Sequence, residues 1–186
     1  MSSVNLNNPG SGASCEIELG RGLDYSVTAR TPAELEALLE QLLQLPASQV
    51  ADSVGSLINN INILENIALP ALYHGFARVT EIEREVLEIF AECGVDDAQA
   101  EALFRKLPGE IGPFDKRMAG FVRSLLSRPE VLIYSRFFEG LTRTEMARAA
   151  ALNTVFRNRR SDGTAVYLML SDMPDLQPAG CLRSEL

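Results

Sequence analysis

Side chains able to carry acid–base, metal or nucleophilic chemistry are few and scattered in this sequence of 186 residues. Histidine occurs once, as His74, so a catalytic triad or a histidine-ligated zinc site would depend on that residue. We interpret His74 as an exposed loop histidine. Cys15, Cys93 and Cys181 are odd in number and far apart, which favours reduced thiols over a disulfide framework. We therefore expect no bound metal.

The charge balance narrows the classes of partner. The formal net charge is −8 at pH 7, and an acidic chain is a poor candidate for binding nucleic acid or anionic lipid. Lysine occurs only as Lys106 and Lys116, so a phosphate site would rest on arginine or on backbone N–H groups. No apolar run is long enough to span a membrane and no signal peptide is visible, so we expect a cytoplasmic protein.

The hydrophobic pattern predicts an α/β protein of one domain. Alternation over 15–19 and 23–29 predicts two strands, and the apolar runs at 130–135 and 164–170 predict buried parallel strands. Thr31-Pro32-Ala33-Glu34 is typical of a helix start. That helix runs to about residue 45, and further helices are expected at 62–70, 79–93, 98–105, 115–127 and 144–157. We expect a flexible lead-in over 1–14, no element over 47–53, and an irregular tail over 172–186.

Three stretches carry a resemblance to a known family. They are Asn62-Ile63-Leu64-Glu65-Asn66-Ile67-Ala68-Leu69-Pro70, the segment 107–142 with Leu107-Pro108-Gly109-Glu110-Ile111 at its start, and Ser171-Asp172-Met173-Pro174-Asp175. Together they resemble the nucleotide-binding subunits of ABC transporters, closest to those of MCE-type lipid and toluene-tolerance systems. The resemblance implies a truncated P-loop NTPase sheet, ABC ATPase-like, with a helical subdomain over about 65–127.

The aligned phosphate loop lacks the residues that bind phosphate. The motif G-x-x-x-x-G-K-[ST] cradles phosphates with backbone N–H groups and a lysine. The segment aligned with it is Ala29-Arg30-Thr31-Pro32-Ala33-Glu34-Leu35-Glu36. Leu35 stands at the lysine and Glu36 at the magnesium-binding hydroxyl. Both glycines are absent, and the acidic residues at the helix start would repel an anion.

The other motif positions are also replaced. Ser135 and Arg136 stand where the resemblance places a magnesium-binding Asp and a catalytic Glu, and Ser171 stands at the H-loop histidine. Ser53 aligns with the Q-loop glutamine and Thr142 with the D-loop aspartate. The signature motif is represented by Gly112-Pro113-Phe114.

These replacements predict a catalytically inactive ABC-type subunit that binds no cofactor and acts as a regulatory or structural component of a transport system. In dimers of the family, each ATP lies between the phosphate loop of one subunit and the signature motif of the other. Both motifs are altered here, which argues against a dimer in which one ATP site still works. One alternative is a freestanding interaction or dimerisation protein that uses the fold without a transporter. Another is a working ATPase with displaced motifs.

The segment 57–70 corresponds to the surface that meets a membrane permease in the family. The resemblance therefore predicts a docking face made of Leu57, Ile58, Asn59, Asn60, Ile61, Asn62 and Glu65. The alternative is the ordinary packing of a loop and a short helix. A homodimer or heterodimer is a further expectation, and peripheral attachment to the inner membrane would follow from permease binding.

Overall fold

A computed structural model describes residues 2–7, 14–73, 79–171 and 182–185, and side chains over 19–73 and 79–171. The strands are β1 (Ser2–Asn7), β2 (Ser14–Leu19), β3 (Asp24–Ala29), β4 (Ser48–Asp52), β5 (Val131–Ser135), β6 (Thr164–Leu170) and β7 (Leu182–Glu185). The helices are α1 (Pro32–Leu43), α2 (Ile63–Tyr73), α3 (Val79–Glu92), α4 (Asp97–Phe104), α5 (Pro113–Leu126) and α6 (Arg143–Arg159). A short 3-10 helix covers Pro108–Glu110.

A five-stranded parallel sheet organises the chain, with the strand order β4-β5-β6-β3-β7. Strands β1 and β2 form a separate antiparallel pair. Every residue of β5 is buried, as are all but the last of β6. This confirms the buried parallel strands predicted from the apolar runs, because helices cover both faces of such a sheet. The α/β fold class is confirmed as well.

Each face of the sheet has its own hydrophobic core. Helix α1 covers one face, where its leucines pack against β3 and against alternate residues of β5 and β6. Helices α2 to α6 cover the other face. There Tyr134 and Tyr167 stack with ring centroids 4.8 Å apart. The helices over 63–126 thus occupy the range of the predicted helical subdomain, and they share a continuous core with the sheet.

Several boundaries differ from the sequence-based predictions. Strand β4 (Ser48–Asp52) lies within 47–53, where no element was expected, and strands β1 and β7 lie in the predicted lead-in and tail. Helix α2 continues past Pro70 to Tyr73 instead of ending near the proline. Helix α5 begins at Pro113, because proline is well suited to the first helical position, where its missing N–H is not needed.

Candidate functional site

The carboxyl edge of the sheet brings together most of the aligned phosphate-site positions. The Ser171 N–H donates to the Ala29 carbonyl at 2.8 Å, which joins the ends of β3 and β6. The Arg136 N–H donates to the Leu168 carbonyl at 3.0 Å, which joins the ends of β5 and β6. Ligands of open α/β sheets bind at this edge, outside the carboxyl ends of the strands. A nucleotide bound to this fold would therefore lie at this edge.

The connection from β3 to α1 consists of Arg30 and Thr31 alone. Thr31 caps the helix, since its hydroxyl oxygen accepts the Glu34 N–H at 3.2 Å. The buried Glu34 carboxylate accepts the Arg30 N–H at 2.8 Å, one residue earlier than in a reciprocal capping box. The Glu34 carboxylate thus engages the Arg30 N–H, which is a donor that a bound anion would need. Pro32 has no N–H, so a second donor is missing at this helix start.

The side chain at the lysine position points into the core. Leu35 is 2% exposed and packs with Leu38 and Leu42 against Tyr25 and Val27 of β3. Glu36, at the position of the magnesium-binding hydroxyl, is exposed. A phosphate loop wraps its anion with several backbone N–H groups before the helix begins, and a two-residue connection cannot form that wrap. The residues at this helix start therefore do not fit the phosphates of a nucleotide.

At the end of β5, Ser135 is buried and Arg136 is exposed. Arg136 has a positive φ of 52°, which is uncommon for a residue with a side chain. Its Nε donates to Glu139 Oε2 at 2.7 Å, which forms an ion pair. The guanidinium of the buried Arg117 on α5 donates to the Glu139 carbonyl. Burial lowers the Arg117 pKa, although nearby Glu145 and Glu139 oppose that shift.

Asp52 is a residue at this edge that the sequence analysis missed. It ends β4 directly beside Ser135 in the register of the parallel pair. Its carboxylate accepts the Val54 N–H at 3.0 Å and also the Ser56 hydroxyl. The available signal was an aspartate directly before the turn residues Ser53, Gly55 and Ser56. Because local donors engage both oxygens, Asp52 orders the turn that contains Ser53.

The aligned signature segment begins a helix. Gly112 precedes α5 and Pro113 is its first residue, while the side chain of Phe114 is buried. The Arg148 guanidinium lies 4.1 Å above the Phe114 ring. Asp115 adds a carboxylate to the first turn, where it favours the helix dipole. An incoming phosphate would meet that carboxylate and find one N–H missing at Pro113.

The predicted docking segment 57–70 contains a well-ordered polar turn. Asn62 and Glu65 form reciprocal bonds at the start of α2: Asn62 Oδ1 accepts the Glu65 N–H at 2.9 Å and Glu65 Oε2 accepts the Asn62 N–H at 3.0 Å. These two residues of the predicted set therefore have a structural role as helix caps. Ile58, Asn59 and Asn60 are exposed, whereas Leu57 and Ile61 are partly buried.

A buried amide holds the same turn in place. The Asn66 side chain accepts the Ile58 N–H at 2.6 Å and donates to the carbonyls of Ile58, Ile61 and Asn62, each at 3.0 Å. Asn66 is 1% exposed and was not among the predicted site residues. Its place on the buried face of α2 beside Ile63 and Ile67 was a usable signal, because a buried amide needs partners.

A surface cleft of about 430 Å³ joins the aligned Q-loop and signature positions. Ser53, Leu57 and Asn59 line one side of it, and Pro113 and Lys116 line the other. The structure therefore brings together predicted site residues that lie far apart in sequence. Leu35 and Glu36 lie outside this cleft lining.

Metal and histidine chemistry find no site in the described part of the chain. Among those residues no group of three or more His, Cys, Asp or Glu side chains is arranged to hold a metal ion. His74 lies outside the described residues. The thiol of Cys93 is partly buried, and burial raises its pKa to about 12 with a smaller contribution from Glu92. No described helix has the length and apolar character needed to cross a membrane.

The solved structures supply the first comparison. cbiO1 from Clostridium perfringens, part of the ABC transporter complex cbiONQ, superposes with a TM-score of 0.74 over 96% of this chain and 81% of its own. The chain has the fold of an ABC transporter ATPase. The two sequences are 13% identical, so the likeness concerns the fold alone. The prediction of an ABC ATPase-like sheet is confirmed.

Curated sequences supply the second comparison. The methionine import ATP-binding protein MetN of Bradyrhizobium diazoefficiens is 27% identical over 177 residues, which are 90% of this chain and 48% of MetN. MetN 2 of Pseudomonas entomophila is 29% identical over 86 residues, 43% of this chain and 24% of that protein. This chain thus spans about half the length of MetN, and its match to MetN 2 covers about a quarter of that protein. No protein-family model matches the sequence.

Proposed function

We propose that this chain is a catalytically silent subunit of ABC type that serves a transport system as a regulatory or structural component. The observation that carries the proposal is the start of α1. There, Arg30 and Thr31 alone separate the strand from the helix, and Leu35 lies in the core. Replacement of the Asp–Glu pair by Ser135 and Arg136 supports the same conclusion, because that pair holds magnesium and polarises the attacking water.

An assay of phosphate release from ATP with Mg²⁺ tests the catalytic half of the proposal. We expect the purified chain to release no phosphate above the protein-free background. A double variant, Ser135→Asp with Arg136→Glu, returns both carboxylates to the end of β5. It should be equally inactive, because the start of α1 still lacks a phosphate loop. The proposal would be overturned if the original chain hydrolysed ATP and the double variant did so at a different rate.

The partner half of the proposal is docking to a membrane permease through the segment 57–70. Ile58 is 46% exposed while its backbone is fixed by Asn66, so it offers an apolar contact on a rigid turn. The relatives named above carry ABC transporter or import names, which supports a transporter as the setting. Homodimerisation without a transporter is the competing role.

Co-purification from membranes with an affinity-tagged full chain tests the docking. Ile58→Asp should abolish recovery of a permease. Leu43→Asp, on α1 and similarly exposed at 40%, should leave that recovery unchanged. Equal recovery with both variants, or a tagged chain that forms only its own dimer, would contradict docking through this segment.

The transport class is the finest part of the proposal. The resemblance of the residues at 62–70 and 107–142 favours an MCE-type lipid system, whereas the sequence relatives are named for methionine import. We propose the MCE-type assignment. It predicts neighbouring genes for a permease and an MCE protein, and a neighbouring gene for a methionine-binding protein would overturn it.

A further inference from the structure

We propose that the loop after β5 contains a side-chain switch, in which the Glu139 carboxylate pairs either with Arg136 at the surface or with the buried Arg117. The structure shows the first arrangement. The second requires only a rotation of the Glu139 side chain, and it leaves Arg136 free at the carboxyl edge of the sheet. The switch is independent of the proposed function, because neither arrangement involves a permease or a nucleotide.

Polar atoms of Arg117 and Glu139 are buried without partners. Arg117 is 4% exposed, and among the described residues its Nε and Nη1 have no hydrogen-bond partner. The Oε1 atom of Glu139 is likewise buried with no partner in that part of the chain. Each buried polar group left unmatched costs free energy, so such groups are rare. A cation with unused donors and an anion with an unused acceptor thus lie in the same region.

The Glu139 side chain can reach Arg117 without a change of the backbone. Arg117 Nη2 donates to the carbonyl of Glu139 itself, so the guanidinium lies beside the residue that carries the carboxylate. The Glu139 N–H donates to the Arg136 carbonyl at 3.2 Å, and the Arg136 N–H donates to the Leu168 carbonyl at 3.0 Å. These bonds fix the backbone, while rotation between staggered conformers moves the carboxylate.

The other acids near Arg117 are already engaged. Besides Glu139, two carboxylates oppose the lowering of the Arg117 pKa, those of Glu145 and Asp52. Glu145 Oε2 accepts the N–H and the hydroxyl of Thr142 at 2.9 and 2.7 Å. Asp52 orders the turn after β4. Glu139 is therefore the acid best placed to accept from the unused donors of Arg117.

Solvent exposure makes the balance between the two arrangements sensitive to salt. The side chains of Arg136 and Glu139 are 44% and 18% exposed, whereas Arg117 is buried. Dissolved ions screen an exposed ion pair more strongly than a buried one. Removal or screening of the pair with Arg136 should therefore turn the carboxylate toward Arg117.

Hydrogen exchange at the Arg117 Nε–H, followed by NMR on the full chain, tests the switch. In Arg136→Ala the carboxylate loses its surface partner, and we expect the Arg117 Nε–H to exchange about tenfold more slowly than in the original chain. Adding Glu139→Ala to that variant should restore the original rate. Arg143→Ala removes another exposed arginine, at the start of α6, and should leave the rate unchanged.

Salt supplies a second measurement. Raising NaCl to about 0.5 M should slow exchange at Arg117 in the original chain relative to Arg123, whose guanidinium donates to two carbonyls of another turn. In Glu139→Ala the ratio of the two rates should not change. The switch would be overturned by unchanged exchange in Arg136→Ala, by slowing that persists without Glu139, or by a salt response that is absent from the original chain or equal in Glu139→Ala.

Discussion

The turn after β4 is held by hydrogen bonds from side chains that lie outside the aligned motif positions. The Asn66 side chain accepts one N–H and shares its two amide hydrogens among three carbonyls of the segment 58–62. Asn62 and Glu65, which belong to the predicted docking set, cap the N-terminus of α2. Four residues of that set are exposed on this ordered segment: Ile58, Asn59, Asn60 and Glu65.

Asn66→Ala tests that account of the turn. The variant leaves one N–H and three carbonyls without their side-chain partner. We therefore expect it to lower the free energy of unfolding by about 2–4 kcal/mol. Urea denaturation followed by circular dichroism measures the change. Asn60→Ala, at an exposed position, should stay within about 0.5 kcal/mol of the original chain. Equal stability of the two variants would contradict a structural role for Asn66.

Residue types alone could place the core strands and most helices, and could indicate which motif positions were replaced. The helical spacing of Leu35, Leu38 and Leu42 indicated that Leu35 faces the core, but residue types could not show which N–H the buried Glu34 engages. Nor could they show that Asp52 lies beside Ser135, since this pairing is made by residues 83 positions apart. The amide of Asn66 was readable in principle as a polar residue on an apolar helix face.

The remaining differences between the sequence-based predictions and the structure concern where helices and strands begin and end. Strand β4 has the sequence Ser-Gln-Val-Ala-Asp, and only Ala51 is buried in it, so no apolar run marks this edge strand. Backbone hydrogen bonds to β5 hold this segment as a strand, although its sequence has no strand pattern. Helix α2 accommodates Pro70 because the buried residues Ile67 and Ala71 hold it in the core on either side of the proline.

The end of α5 offers a test at this scale. Ser127 caps the helix and Arg128 follows it with a φ of 50°, the left-handed conformation that favours glycine after a helix. Arg128→Gly should therefore raise the free energy of unfolding by about 0.5–1 kcal/mol, seen as a higher urea midpoint. Arg128→Ala retains a Cβ and should give no gain. A gain of the same size from alanine would show that loss of the charge, and not backbone conformation, is responsible.

At the scale of the whole molecule, the sheet and the helices over 63–126 are joined by one core. Tyr134 and Tyr167 of the sheet belong to the same cluster as Ile67 of α2 and Phe90 of α3. The turn that links β4 to this helical segment is fastened to α5 by Arg123 and by the contact of two glycines. The fold of an ABC ATPase is therefore maintained by apolar packing and internal hydrogen bonds, none of which requires a nucleotide.

We propose that this chain does not bind ATP with Mg²⁺, and thermal unfolding tests this most directly. A ligand present at about 100 times its dissociation constant adds about 2.7 kcal/mol of stability, which raises the Tm of a chain of this size by about 5–10 °C. We predict that the Tm in saturating ATP with Mg²⁺ equals the Tm in the same buffer with Mg²⁺ alone. A reproducible rise of several degrees, lost when Arg30 and Thr31 are substituted, would contradict the account.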